Sequence, residues 1–514
     1  MMSTTRLLLI LTTAVNVLAV VAPTAAVREG LLIGTTTSLP AATATINKFL
    51  GIPYAQSPPM RFAAPVLANI SCGSRDATAF GPACLQQTGA LFSSPDDEAL
   101  QSEDCLYLNV WQPSGVPPTS GWPVMVWILG GGLQFGSGDL PDYDGAAFAS
   151  YEGVIFLSFN YRLSLFGFPG APGVPNIGLL DQRFALSWVQ DNINAFGGNP
   201  TKVTIFGESA GGVSVSSILA VPPLPMPFRA AIVQSGTALS NAGSSIGVNA
   251  ETVWNQTVIA FGCSAVVDQL ACMRAVPAQQ LQAYATNSSL ATTVKNDGIT
   301  YITNSGHQYS SGKAAEVPVI VGTTANEGTI FTLGETNLTA FVDGIFGFLP
   351  SLAAQIEAAY AVGTPGIDSE GDAIAQIFTD VGLQCPSAIL ARQVTQAGNA
   401  SWRYIYNATF PNVSKTPHVN LGVYHSSEIP LVFSTYNKTT ATAQEYALSN
   451  YMRGAWASFA RDPASGPGWG ATGTFNGTDL GILGFDGSSG VTLVPQTTID
   501  ARCSLYELVY SLFD

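Results

Sequence analysis

The sequence predicts an α/β fold, a large and mostly parallel sheet covered by helices on both faces. Three observations point there. Short apolar runs rich in β-branched and aromatic residues recur along the chain, each bounded by Gly or Pro. Segments with helical spacing lie between them, and strand–helix alternation is the pattern of parallel sheets. At one strand-to-helix joint stands Gly207-Glu208-Ser209-Ala210-Gly211. Between the strand Val203-Thr204-Ile205-Phe206 and the small-then-apolar helix that follows, a serine with small neighbours fits a very sharp turn.

The elements follow in chain order. Arg6 precedes the apolar run 7–21, and Pro23 and Thr24-Ala25-Ala26 follow, the layout of a secretory leader. The run is shorter than the ~20 residues of a bilayer span. The expected division is a leader over 1–26 and one domain over 27–514, with no later membrane span. Residues 31–46 are Thr-rich and read as an edge hairpin. Residues 49–55, with Pro53 and the following Pro58 and Pro59, read as ordered loop. The polar stretch between Cys84 and Cys105, with 93–98 inside it, reads as a surface loop.

Strands are expected at 107–110, 124–129 and 154–160. A helix is expected over 178–196, ended by Phe196-Gly197-Gly198-Asn199-Pro200. After the strand 203–206 and its helix come strands at 229–235 and 317–322, with a helical insertion carrying Cys263 and Cys272 between them. Residues 338–391 are largely helical, 402–406 form a strand, and 503–513 an amphipathic terminal helix. Repeats and linkers are absent, so one large domain fits better than two.

Composition narrows the function. Apolar residues are 47% and charged residues only 10%, so a large core is available. With 34 acidic against 19 basic residues, a net charge of −15 argues against nucleic acid and anionic membrane surfaces as partners. Nine Asn-x-Ser/Thr sequons, at Asn69, Asn255, Asn287, Asn337, Asn399, Asn407, Asn412, Asn437 and Asn476, agree with passage through a secretory route. Seven cysteines are present, at 72, 84, 105, 263, 272, 385 and 503, so at least one lacks an intramolecular partner. They do not cluster with any of the three histidines, and no metal or cofactor is expected.

The serine carries the chemistry. A strand–turn–helix Gly-x-Ser-x-Gly exposes its hydroxyl and turns the next backbone N–H toward an oxyanion. A second match, Gly243-Ser244-Ser245-Ile246-Gly247, lacks a strand before it and reads as a turn. Upstream, Gly130-Gly131-Gly132 follows directly on the strand 124–129, where three glycines free backbone N–H groups for the rest of an oxyanion hole. The base must be His307, His418 or His425. His425 lies beyond the acid candidate and is preferred, with His418 second. For the acid, Glu327 sits just past the strand ending at Gly322, whereas Asp297 and Asp343 lack that context.

Longer motifs surround these residues. Phe196-Gly197-Gly198, four residues, then Val203-x-Ile205-x-Gly207-Glu208-Ser209-Ala210-Gly211 resembles the active-site signature of the type-B carboxylesterase/lipase family of α/β-hydrolases. That family includes cholinesterases and fungal lipases. Glu103-Asp104-Cys105-Leu106-Tyr107-Leu108-Asn109-Val110 is similar to its second signature, and Asn160-Tyr161-Arg162 and Gly178-Leu179-Leu180-Asp181-Gln182 are also family-like. The resemblance covers nearly the whole chain after the leader. It implies an α/β-hydrolase with the triad Ser209, Glu327 and His425, and oxyanion donors Gly131, Gly132 and Ala210. It also implies disulfides Cys84–Cys105, Cys263–Cys272 and Cys385–Cys503, leaving Cys72 over. Leu129 and Leu133 replace residues that are His or aromatic in relatives, and both are expected to line the substrate pocket. The expected activity is a secreted serine carboxylesterase acting on small-molecule esters. The alternatives are an interfacial lipase or sterol esterase and, remotely, an inactive cholinesterase-like binding protein.

Overall fold

The computed structural model describes residues 22–40, 42, 45–70, 73–87, 100–240, 249–288, 290–413, 419–474 and 478–511. The run 1–21, the stretch 93–98, Cys72, the second Gly-x-Ser-x-Gly, His418 and Asn476 lie outside the described residues.

Eleven strands build the main sheet. They are β1 (Thr35–Thr37), β2 (Ile46–Pro53), β3 (Tyr107–Pro113), β4 (Trp122–Ile128), β5 (Ile155–Phe159) and β6 (Gly198–Glu208), then β7 (Ala230–Gln234), β8 (Val319–Thr324), β9 (Ser401–Tyr406), β10 (Leu480–Leu483) and β11 (Val491–Val494). Their spatial order is β11-β10-β9-β8-β7-β6-β4-β5-β3-β2-β1. All pairings from β5 to β10 are parallel, and antiparallel strands close both edges. The parallel strands are covered on both faces, which is why β5, β7, β8 and β9 are buried at every position.

Helix Ala210–Ala220 is buried along its whole length against β6 and β7, so its run of small residues is a packing requirement. Helix Ala443–Arg461 starts in a capping box between Thr442 and Glu445 and buries Leu448, Met452, Trp456 and Phe459. Near the carboxyl ends of β4 and β6, Trp127 packs edge-on to Phe206 and Phe433, with ring centroids 4.8 and 5.0 Å apart. This aromatic cluster stiffens the strand ends that carry the site.

The α/β expectation holds, and the strands expected from 107 to 235 and from 317 to 406 are present within a few residues of their expected ends. Residues 49–53 differ, belonging to β2 instead of a loop. Pro53 is the last residue of β2, where a ladder N–H is dispensable, and a bulge between Phe49 and Ile52 accommodates Gly51 at φ +64°. The strands β10 and β11 and the helix Ala443–Arg461 are additions to the expected elements. Four-residue strands give too little periodicity to read.

Among the described residues one helical run, Glu370–Gln396, is long and apolar enough to span a membrane by length and composition, but 67% of its apolar window is buried inside this fold, as in a core helix. At the amino end, Thr24–Val27 forms a strand paired antiparallel with Gly30–Ile33. The disulfides are Cys84–Cys105, Cys263–Cys272 and Cys385–Cys503, as the resemblance implied.

Candidate active site

Ser209 stands between the last residue of β6 and the first residue of helix Ala210–Ala220, at φ 57° and ψ −123°. A non-glycine residue in that region carries about 1–3 kcal/mol of strain and persists only where its surroundings force it. The surroundings here are backbone. A Cβ on Gly211 would sit 2.0 Å from the Ile128 carbonyl oxygen, one on Gly207 2.6 Å from the same oxygen, and one on Gly236 2.1 Å from the Ser209 carbonyl oxygen. The glycines let β4, β6 and β7 close in around the turn, and the Ser209 N–H donates to the Gln234 carbonyl at 2.9 Å.

The glycine run after β4 curls back on itself. The N–H groups of Gln134 and Phe135 donate to the Gly131 carbonyl at 2.9 and 3.2 Å. Gly131 and Gly132 have φ of 99° and 61°, and Leu133 follows at 63°. A Cβ on Gly131 would lie 2.1 Å from the Phe135 carbonyl oxygen, so only glycine fits. Gly132 and Ala210 line one cavity with Ser209, and Gly131 and Gly132 line a second with it. Ala210, first in its helix, has no acceptor for its N–H within that helix. The three expected oxyanion residues therefore meet at the serine.

Glu327 lies just past β8 and is fully buried. Its Oε1 accepts from the Thr324 N–H at 2.7 Å and the Ser235 hydroxyl at 2.5 Å. Its Oε2 lies 2.5 Å from His425 Nδ1. The competitors fall elsewhere: His307 and Asp343 are exposed, and Asp297 accepts from the backbone of Ile299, Thr300 and Tyr301 to hold a turn.

His425 Nε2 has no hydrogen-bond partner and faces Glu208 Oε1 at 3.2 Å. Ser426 donates its hydroxyl to that same oxygen at 2.6 Å. Phe331 covers the imidazole, with ring centroids 4.9 Å apart. Burial disfavours the protonated ring, but the carboxylates of Glu208, Glu327 and Glu428 outweigh it and push His425 up to about 9. Glu428 is itself buried, and burial together with Glu208 and Glu327 pushes its carboxyl up to about 8. Sequence reasoning assigns no role to Glu208, Ser235, Phe331 or Glu428. Glu208 and Glu428 flank Ser209 and His425 closely enough in sequence to signal a buried acidic group.

Two cavities open at Ser209, of about 420 and 220 Å³. Ser209, Gly132, Phe331 and His425 line both. Leu133, Val213, Leu290, Phe378 and Leu383 give the larger one its apolar walls. The smaller one reaches Phe135, Tyr143 and Glu208. Leu133 is thus where the sequence placed it. Leu129 lines neither cavity. It is buried in the main core, its carbonyl accepts from the Tyr161 hydroxyl at 2.9 Å, and a Cβ on Gly136 would touch its side chain. Among the described residues, no three His, Cys, Asp or Glu side chains are grouped to hold a metal ion.

A sequence profile of the carboxylesterase family matches residues 21–472. The chain belongs to the carboxylesterase family. Family members are α/β-hydrolases, and this chain is a carboxylic ester hydrolase. It is 34% identical over 470 residues to a cholinesterase of Mus musculus, covering 82% of this chain and 76% of that protein. It is 31% identical over 471 residues to secreted lipase 5 of Gibberella zeae, covering 82% and 83%. It is 38% identical over 378 residues to lipase 4 of Diutina rugosa, covering 65% and 67%.

Proposed function

We propose that this carboxylesterase hydrolyses its substrate through Ser209, His425 and Glu327 by way of an acyl-enzyme. The observation carrying this reading is the strained serine sharing a cavity with Gly132, Ala210 and His425, whose Nδ1 is paired to the buried Glu327. His425 Nε2 takes the Ser209 proton as Oγ attacks the ester carbonyl. The N–H groups of Gly131, Gly132 and Ala210 hold the oxyanion, one such donor contributing about 3 kcal/mol to the transition state. His425 then protonates the departing alcohol, and water attacks the acyl-enzyme by the same steps in reverse. Glu327 fixes the tautomer with Nδ1–H toward itself and stabilises the imidazolium.

The alcohol must leave beside His425. Glu208, Ser426 and Ile429, which adjoin Ser209 and His425, line the smaller cavity, so that cavity takes the alcohol and the larger takes the acyl chain. Ser209→Ala is expected to lower kcat on 4-nitrophenyl butyrate by a factor on the order of 10⁴ or more and to abolish labelling by a fluorophosphonate. Full activity in that variant would sink the proposal.

A soluble-ester hydrolase is favoured by the short span between Cys84 and Cys105, 21 residues apart. The lipase relatives support the second reading, action at a lipid interface. Rate measured against triglyceride concentration separates them, since only the lipase accelerates past the solubility limit. Three disulfides and the secreted relative support export of the chain and glycosylation at its sequons. Leader cleavage at Ala26 would remove most of the strand Thr24–Val27, so its pairing with Gly30–Ile33 favours a cut before Thr24. Amino-terminal sequencing of the exported protein reads the site directly.

A further inference from the structure

We infer that an amide clasp formed by Gln87, Gln134 and Thr292 sets the acyl-chain length this enzyme accepts. The inference rests on the proposed assignment of the larger cavity to the acyl group. One wall of that cavity is the segment from Leu290 to Thr293, which has no helix or strand to hold it. The Leu290 N–H donates to the Ala285 carbonyl at 3.0 Å, and beyond that bond side chains fix the segment's position. Gln134 Nε2 donates to the Thr292 carbonyl at 2.7 Å, and the Thr292 hydroxyl donates back to Gln134 Oε1 at 2.9 Å. Gln87 Nε2 donates to that same Oε1 at 3.0 Å and to the Leu290 carbonyl at 2.6 Å. Further along, Asn176 holds Lys295 through paired bonds of 2.7 and 2.8 Å to its carbonyl and N–H.

All three clasp residues line the cavity. Gln134 sits two residues beyond Gly132, so the wall is tied to the same loop that carries the oxyanion N–H groups. The Gln134 amide is engaged at both ends by Thr292 and Gln87, leaving little of it to offer an ester polar group. Their effect is geometric: they hold Leu290 and Thr292, each 6% exposed, at a fixed depth against the apolar wall of Leu133, Val213 and Leu383. A longer acyl chain reaches this wall and must break these part-buried hydrogen bonds to pass it. The clasp is therefore a specificity-determining element, acting by position and not by contact with the reacting atoms.

The test compares the unaltered enzyme with Gln134→Ala, Thr292→Val and the double variant. Each is assayed on 4-nitrophenyl esters from butyrate to laurate and on a series of alkyl butyrates, per active site titrated with a fluorophosphonate. Gln134→Ala is expected to raise the laurate-to-butyrate ratio of kcat/KM about tenfold, the discrimination of roughly one methylene in an apolar pocket. Thr292→Val shifts the ratio the same way by less, and the double variant adds little to Gln134→Ala because both remove one clasp. The alkyl butyrate series keeps its order. A merely structural role would depress every ester alike and leave the acyl ratio unmoved, which overturns the inference, as does a shift confined to the alcohol series. Thr292→Val exchanges a hydroxyl for a methyl and reads the same clasp if Gln134→Ala fails to fold. Absence of labelling at Ser209 in the unaltered enzyme would overturn the reading of the site as well, whereas labelled variants with an unmoved ratio overturn the clasp alone.

Discussion

Glu208 precedes the serine, and its carboxylate lies beside the imidazole nitrogen proposed to take the serine's proton. It faces His425 Nε2 at 3.2 Å. Burial pulls His425 down, and Glu208 is the strongest of the influences that raise it against that pull. The proposed base must be unprotonated to act, so activity is expected to fall as pH drops through the His425 value. With that value pushed up to about 9, the acid limb of kcat/KM lies well above the ordinary histidine range. Glu208→Gln keeps an acceptor for the Ser426 hydroxyl and removes the charge. Its acid limb is expected to move to lower pH, read from a kcat/KM profile; an unmoved limb would show that Glu208 does not act on His425 electrostatically. Glu327→Gln leaves the pocket shape and removes the charge that stabilises the imidazolium, with a loss on the order of 10⁴ in kcat expected from the same tautomer argument.

At the level of single elements, the strand–turn–helix around Ser209 is a packing problem solved by missing side chains. Gly211→Ala would bring a methyl to 2.0 Å from the Ile128 carbonyl oxygen, and backbone cannot give way cheaply. The expected cost is about 4 kcal/mol or failure to fold. Gly454, inside helix Ala443–Arg461, has nothing within 4 Å of an added Cβ, so Gly454→Ala is expected to stabilise by about 0.8 kcal/mol. Denaturant midpoints on the two variants check both signs. The disulfides differ by the loop each closes, 118 residues for Cys385–Cys503 and 9 for Cys263–Cys272. On chain-entropy grounds the first contributes about 5 kcal/mol and the second about 2.6 kcal/mol. Cys385→Ser is therefore expected to lower Tm more than Cys263→Ser, measured by calorimetry on each single variant.

Across the molecule, stability and activity are expected to respond oppositely to pH. His425 binds its proton more tightly folded than unfolded, so its contribution is full below about 6.5 and is lost as pH rises toward about 9. Glu428, pushed up to about 8 by burial, also holds a proton that the unfolded chain has released by about 4.5, so it too favours the fold at the acid end of that range. Tm is expected to fall between about pH 6.5 and 9 while kcat/KM climbs. A Tm that rises across that interval would contradict the assignment of these two protons. The sheet explains how such a cluster is held: β6, β7 and β8 are adjacent and parallel, so Glu208, Gln234 and Glu327 are delivered to one end of it.

Local sequence suffices wherever the chemistry depends on neighbours in the chain. The elbow at Ser209, the glycines before it and the central strands are legible because close packing demands Gly and burial on both faces demands β-branched runs. Glu327 and His425 are legible through chain order and strand ends, with family motifs behind them. Leu129 reads as a pocket residue in sequence but is core, because a strand-end residue faces core or cavity according to what packs beneath it, here Gly136 and Tyr161. Pro53 reads as a breaker because its place at the end of β2 depends on the partner strand β3. The proposed nucleophile, its oxyanion donors and the fold class were written in the chain, since each rests on short-range sterics. Folding alone brought Glu208 against His425, and Gln134 to Thr292 across 158 residues of chain, because hydrogen bonds and charges act through space and not along the sequence.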